Sequence, residues 1–380
     1  MDKYALFQER LIKNSSKNKF KGIDPYDFAS SNIKMPHALL SKVSFINKIS
    51  PINLRPLLKI EPSENTKSNA IFFHAMALMD SNRYAEEIKF LKNWLQDSKS
   101  PEFKYYSLGF AFEMALTRYN SGPGKTSLII SLFAMFAFFE YYKVSKDQSA
   151  LELICSFEQL LEEKWLKFEE ENTLWYSYLP HQKDEVYNAT AKVGRFYALY
   201  YEIYPSKAIE SKIIKILNYL EKVQSLDGSW GYSVKNGYVD NFHTAFVLES
   251  IHHMHQVVKT QNSTEMFENG LADYIENCFK DNIPLHFHKL HYPKDVRSKL
   301  IYTEIRDIAN AIILFSKVGM LHKAETILNY SIHKYYNQKE GYFYFFNNKI
   351  YKSKINYVRW QAWMALAITE FSNKKVNEKN

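Results

Sequence analysis

The chain has 380 residues, of which 46% are hydrophobic and 24% charged, enough apolar material for a large core and too much for intrinsic disorder. Only 11 Gly and 11 Pro punctuate it, which excludes an all-β sandwich or barrel built on many tight turns. The 49 Lys and Arg against 41 Asp and Glu leave a net charge of +8 spread along the chain, with no zinc-finger spacing, RNP-like motif or basic arm, so no nucleic-acid partner is expected.

Apolar positions recurring at i, i+3 and i+4 predict about twelve helices, at 37–47, 66–80, 84–97, 126–143, 147–164, 188–203, 207–224, 241–258, 265–279, 303–317, 321–336 and 356–373. From the second helix onward, short links near Asn82, Ser145, Pro205, Ser263 and Met320 alternate with long aromatic-rich ones at 98–125, 165–187, 225–240, 280–302 and 337–355. If successive helices run antiparallel, the long links share one rim. Helical hairpins without a composition break predict an all-α, single-domain (α/α)6 toroid over residues 1–380, with 1–35 as an N-terminal extension packing on the ring. An open solenoid fits less well, because the spacing of the pairs drifts and no signature recurs.

The longest apolar run, Leu128 to Phe139, is shorter than the roughly 18 residues of a spanning segment and reads as a buried helix, so no transmembrane segment is expected. Cys155 and Cys278 are far apart, and the N-terminus lacks an apolar signal core; both features predict a cytoplasmic protein.

Helices that follow long links begin with polar groups: Asn188; Asp240, Asn241 and His243; Glu304, Arg306 and Asp307; Arg359 with Trp360. On the antiparallel reading these converge at one mouth, where helix N-termini add donors for an anionic ligand. Ordinary helix capping is the alternative for each of them singly. Asp240 and His243 are i, i+3 and share a face, and a carboxylate beside an imidazole suits proton abstraction or donation. Arg306 offers a cation for a substrate carboxylate and Asp307 a second carboxylate, unless the two form a structural ion pair. His286, His288 and His291 come without paired Cys or an H-E-x-x-H arrangement, and no nucleotide or dinucleotide loop is present, so neither a metal nor another cofactor is expected.

The segment Gln224-Ser225-Leu226-Asp227-Gly228-Ser229-Trp230 has the Q-x-x-D-G-x-W form seen in α/α toroids such as terpene cyclases and prenyltransferases. Its Gln can cap a helix end while Trp230 packs over the turn; alternatively Trp230 and Tyr232 present rings to a sugar. An isoprenoid-handling toroid is the weakest functional reading, since no D-x-D-D or D-D-x-x-D motif is present.

Several stretches in order, Gly22 to Asp27, Ser50 to Leu58, Tyr187-Asn188-Ala189, Asp227 to Trp230, Val239 to Thr244 and Tyr357 to Met364, resemble a family of bacterial surface-polysaccharide biosynthesis proteins of the Vps type. The resemblance spans nearly the whole chain. It implies an α/α toroid that makes or modifies a surface glycan, and it adds Asp24 and Asp27 to the candidates. Where that family usually has W-G-Y-x-F-x-W-Q, this chain reads Leu108-Gly109-Phe110-Ala111-Phe112-Glu113-Met114-Ala115, which implies a different glycan or lost activity.

The expected ligand is an acidic poly- or oligosaccharide, with other polysaccharide-assembly proteins as further partners. Two chemistries fit. In a uronate C5-epimerase or lyase, His243 or a tyrosine would take the C5 proton while Arg306 or Arg359 and helix N-termini stabilise the carboxylate. In a glycoside hydrolase, two of Asp24, Asp27, Asp240 and Asp307 would act as acid and base or nucleophile. Asn188, Asn241, Trp230, Tyr232 and Trp360 would contact the sugar. A non-catalytic glycan-binding or assembly protein is the competing class.

Overall fold

A computed structural model describes residues 3–30, 37–50, 52–79, 83–115, 120–347 and 353–378. Pro51 of the resemblance, and the side chains of Met114 and Ala115 in the altered segment, lie outside what is described. The described residues form fourteen α-helices: α1 (Ala5–Lys17), α2 (His37–Ile49), α3 (Thr66–Ala77), α4 (Ala85–Asp97), α5 (Leu128–Ser145), α6 (Gln148–Glu163), α7 (Tyr187–Ile203), α8 (Lys207–Lys222), α9 (Asn241–Met254), α10 (Gln261–Asn277), α11 (Val296–Leu300), α12 (Ile305–Lys317), α13 (Leu321–Tyr335) and α14 (Val358–Asn377). Every helix expected from periodicity is present. Two more are not in that set, and each has a physical reason. The buried stripe of α1 with its cap, Tyr4, Gln8, Leu11 and Ile12, has helical spacing but contains a glutamine, which hides the pattern. The five residues of α11 bury no side chain and so carry no period at all.

The chain divides into two compact units, Met1–Phe157 with Asn329–Asn380 and Glu158–Leu328, the boundaries falling within α6 and α13. In the first unit α3 packs on α5 and α14, α4 lies against α3, and α1 lies against α14. The Tyr4 ring meets Phe371 edge-on at 5.3 Å, fixing α1 to the helix farthest from it in sequence. In the second unit α7 packs on α8 and α9, α9 on α12, and α10 on α8 and α9.

The central helices are buried nearly all round and the flanking ones along one stripe. In α5 every residue from Leu128 to Phe139 is buried, and in α12 every residue from Ile305 to Ser316. By contrast α4 buries only Ile88, Leu91 and Leu95. The whole of α5 is long and apolar enough to cross a membrane, which corrects the shorter run seen in the sequence; two-thirds of it is buried inside the protein. Short antiparallel ribbons brace four of the long links among the described residues: Met114–Ala115 with Asn120–Ser121, Lys167–Glu169 with Leu174–Tyr176, Phe279–Lys280 with Ile283–Pro284, and Tyr336–Asn337 with Tyr342–Phe343.

The Q-x-x-D-G-x-W segment ties α8 to α10. Gln224 Nε2 donates to the carbonyls of Gly228 and Met266 at 2.8 and 2.9 Å, and Trp230 Nε1 donates to the Leu220 carbonyl at 2.9 Å. A Cβ on Gly270 would lie 2.4 Å from Trp230 Cζ3, so only glycine lets α10 approach the indole this closely. Gly270→Ala is expected to cost about 1–3 kcal/mol of stability by overpacking. Combining it with Trp230→Phe, which removes the clashing ring, should cost less than the sum of the two changes, as read from chemical denaturation in a double-mutant cycle.

Candidate active site

In the second unit, the start of α9 is pinned by a strand-like pairing with the link that follows α10. Val239 N donates to His291 O at 2.7 Å, Asn241 N to His286 O at 3.0 Å and His288 N to Val239 O at 3.1 Å. This pairing sets the first turn of α9 beside the histidine-bearing link. Asp240 occupies the N-cap, where Oδ1 accepts from His243 N at 2.9 Å. Its Oδ2 lies 2.6 Å from His243 Nδ1. Burial pushes the Asp240 carboxyl up, but the His243 contacts outweigh it and hold the pKa below the ordinary value, so the group stays ionised. The imidazole thus carries a proton on Nδ1 and, when neutral, a lone pair on Nε2. Its side chain is 22% exposed against 4% for Asp240, which makes the histidine the reachable member of the dyad.

Aromatic rings surround this imidazole. Phe242 lies at 3.8 Å and Tyr232 at 4.7 Å between centroids, and Tyr232 stacks on Tyr238 at 5.6 Å with the planes 5° apart. The Arg306 guanidinium sits 4.0 Å from the Phe242 centroid and pairs with Glu304. A second imidazole–carboxylate pair adjoins the first: His286 Nδ1 is 2.9 Å from Asp307 Oδ2, which also accepts from Glu304 N at 2.9 Å. Burial raises the Asp307 pKa while His286 opposes the rise; its other oxygen is buried without a hydrogen-bond partner. Asn188, in the first turn of α7, likewise buries its Nδ2 without a partner, and α7 packs on α9.

The first unit gathers a different set. Arg55 Nε donates to both oxygens of Asp27 at 2.9 Å, and Arg55 Nη2 lies 2.8 Å from Asp27 Oδ1. Asp24 accepts from Tyr26 N at 3.0 Å and Asn65 Nδ2 at 2.6 Å, and pairs with Arg359 Nη2 at 2.7 Å. All five of Asp24, Asp27, Arg55, Asn65 and Arg359 are buried. Burial raises the Asp27 pKa despite the opposing guanidinium. Asp24 and Asp27, the latter expected to be catalytic, thus lie in a buried network with Arg55, Asn65 and the start of α14.

Three further sequence candidates also serve packing. Trp230 and Trp360 are both 2% exposed, Trp360 stacking on Phe345, so neither presents a free face to a sugar. The Asn241 amide donates to Cys278 O at 3.0 Å and accepts from Tyr274 at 2.8 Å, holding α9 to the end of α10. Conversely His286, Tyr238, Phe242 and Arg55 join these clusters without having been singled out for them. For Arg55 and His286 no local signal exists, since their carboxylate partners are 28 and 21 residues away. His288 and His291 pair with Asp273 and Asp227 respectively, so the three histidines of this link are spent on three different carboxylates. Among the described residues no group of three or more His, Cys, Asp and Glu is placed to hold a metal.

No protein-family model and no curated protein sequence matches the chain. Solved structures do. A glycoside hydrolase family 76 mannosidase from Bacteroides thetaiotaomicron superposes with a TM-score of 0.62 at 8% identity over 99% of both chains. An α-1,6-mannanase of the same family from Salegentibacter, solved with α-1,6-mannotriose, gives 0.61 at 9% identity over 98% of this chain and 99% of its own. A cellobiose 2-epimerase from Bacillus thermoamylovorans gives 0.58 at 13% identity over 82% of this chain and 90% of its own. At such identities the likeness shows the fold, the all-α α/α toroid expected from the helix alternation.

Beneath the His243 dyad, Lys192 follows Asn188 by one turn of α7, and its ammonium lies 3.6 Å from the Phe246 centroid. Phe246 in turn meets Phe242 edge-on at 5.3 Å. Burial lowers the Lys192 pKa to about 7, against the opposing pull of Glu249. The unfolded chain keeps this proton up to a pH of about 10.4, so between the two values it binds more protons and stability from this group rises with pH. Lys192→Met is expected to raise unfolding stability near neutral pH by about 1–4 kcal/mol. The gain should shrink as the pH approaches the ordinary lysine range, as followed by thermal melts across pH.

Proposed function

We propose that this chain is a carbohydrate-active enzyme that moves a proton at a sugar carbon next to a carboxylate or carbonyl, as a uronate epimerase or lyase does. The observation that carries this reading is the His243–Asp240 dyad, a part-exposed imidazole oriented by a buried, ionised carboxylate and walled by aromatic rings. Asp240 holds the Nδ1 proton, which directs the Nε2 lone pair to the acidic C–H as general base. Arg306, paired with Glu304 next to the dyad, would turn its guanidinium to the carboxylate whose charge spreads as the proton leaves. Tyr232 and Tyr238 offer stacked rings for the sugar face. His286, oriented by Asp307 but as buried as Asp240, is a second imidazole for returning a proton once bound substrate opens a path to it, a step that epimerisation requires and elimination does not.

A hydrolase reading has less support. It needs two carboxylates free to act as acid and base or nucleophile. Both oxygens of Asp240 and of Asp27 are engaged, Asp24 is held by Asn65 and Arg359, and Asp307 is fully buried. The folds of sugar epimerases and of glycoside hydrolases are both compatible with the chain, so the choice rests on these contacts. A place in bacterial surface-polysaccharide synthesis, on an acidic glycan and in the cytoplasm, belongs to the same proposal; the pathway rests on the resemblance read in the sequence alone.

The test is proton NMR of the protein with acidic bacterial glycans in D₂O. Deuterium entering the position next to the carboxylate, or a new vinyl proton, is expected; new reducing ends would point to hydrolysis. His243→Gln and Asp240→Asn should each slow the exchange by about 10²–10⁴-fold, with glycan line broadening retained. Line broadening with no exchange in the wild type would favour the glycan-binding class. His286→Gln should suppress epimerisation while sparing initial proton loss, read as exchange into substrate without product.

A further inference from the structure

The first unit contains a cavity of about 280 Å³ that shares no residue with either cluster described above. It lies where the end of α1 meets the turn at Gly22 and the ribbon residue Tyr342. Three crossings fix its walls. Gly22 and Ser63 exchange backbone hydrogen bonds at 3.0 and 3.1 Å, Val358 N donates to Ile23 O at 3.2 Å, and Asn14 Nδ2 donates to Glu340 O at 3.0 Å. Two glycines stand at these crossings. A Cβ on Gly22 would lie 2.5 Å from Val358 Cβ, and one on Gly341, whose φ is +73°, would lie 2.7 Å from Asn14 Nδ2. Side chains of α1 and α14 thus close directly on both glycines, and the backbone crossings give this half-open cleft a fixed floor.

The lining is rich in amides and lacks carboxylates. Asn14, Asn18, Asn53 and Asn356 contribute amides, Ser15 a hydroxyl and Tyr342 a half-exposed ring. Its one ammonium, Lys21, is tied to Glu64 at 2.8 Å, so no uncompensated charge faces the cavity. Among the described residues the Asn18 and Asn356 side chains meet no hydrogen-bond partner, and each brings an amide donor and acceptor to the lining. A primary amide matches two neighbouring hydroxyls, donating to one and accepting from the other. The volume falls just below the roughly 300–1,000 Å³ of pockets for drug-sized ligands, which suits one six-membered sugar ring.

We propose that this cavity binds a single neutral hexose unit, a carbohydrate site separate from the His243 dyad. Nearby amides and one ring face, without a charged partner, make it a weak site, suited to holding a glycan chain by one unit. The proposal does not depend on the reaction assigned to His243.

The experiment is saturation-transfer difference NMR on the full-length protein with methyl α-D-glucoside, methyl α-D-galactoside and methyl α-D-mannoside. Inorganic phosphate serves as the anionic competitor. Transfer to at least one glycoside is expected, unchanged by phosphate and unchanged in His243→Gln. The double variant Asn18→Ala with Asn356→Ala alters two exposed residues, so its melting curve should match the wild type while its Kd rises about tenfold. Transfer to none of the three glycosides overturns the proposal. So does undiminished transfer in the double variant, loss of transfer in His243→Gln, or displacement by phosphate.

Discussion

Three backbone hydrogen bonds between Val239–Asn241 and His286–His291 hold together everything chemical in the second unit. They join an N-cap to a link that would otherwise cross open surface, and the pairing gives both segments the extended geometry that places alternate side chains on opposite sides. His286, the partner of Asp307, is thereby brought beside the His243–Asp240 turn, although the two histidines lie 43 residues apart in the chain. The contact is made by main chain, so it depends little on which side chains line it. The site's chemistry can thus vary without loss of its frame.

The link itself is held by side chains as well. His286, His288 and His291 each reach a carboxylate on a different element, Asp307 on α12, Asp273 on α10 and Asp227 in the turn after α8. A comparable economy operates in the first unit, where Arg55 satisfies Asp27 and the Asp24 carbonyl while Arg359 meets the Asp24 carboxylate. Buried charges of this kind are costly to break, because removing one partner leaves the other desolvated and alone. They fix geometry more than they add stability.

Much of the fold was legible in the sequence because its central helices are apolar on all sides and its flanking helices on one, two patterns that periodicity separates well. The α1 helix escaped because Gln8 sits in its buried stripe, and α11 because it buries nothing. The His243 cluster could be read because its carboxylate lies one turn away. Asp24 and Asp27 were singled out by family motifs, yet their buried partners Arg55, Asn65 and Arg359 depend on the tertiary fold and leave no local trace. Trp230 shows the same limit: a tryptophan by a turn reads alike whether its face is open or, as here, closed by Gly270.

Asp240 answers to two separate demands with its two oxygens, ending a helix with one and orienting an imidazole with the other. Asn, Ser and Thr meet the first demand but carry no charge for the second; Glu carries the charge on a stem too long for the cap. Aspartate is the only residue in the genetic code that satisfies both. A chain free to drift here would first lose the dyad and keep the helix, so the persistence of aspartate at this position among true relatives would itself be a record of the chemistry being used.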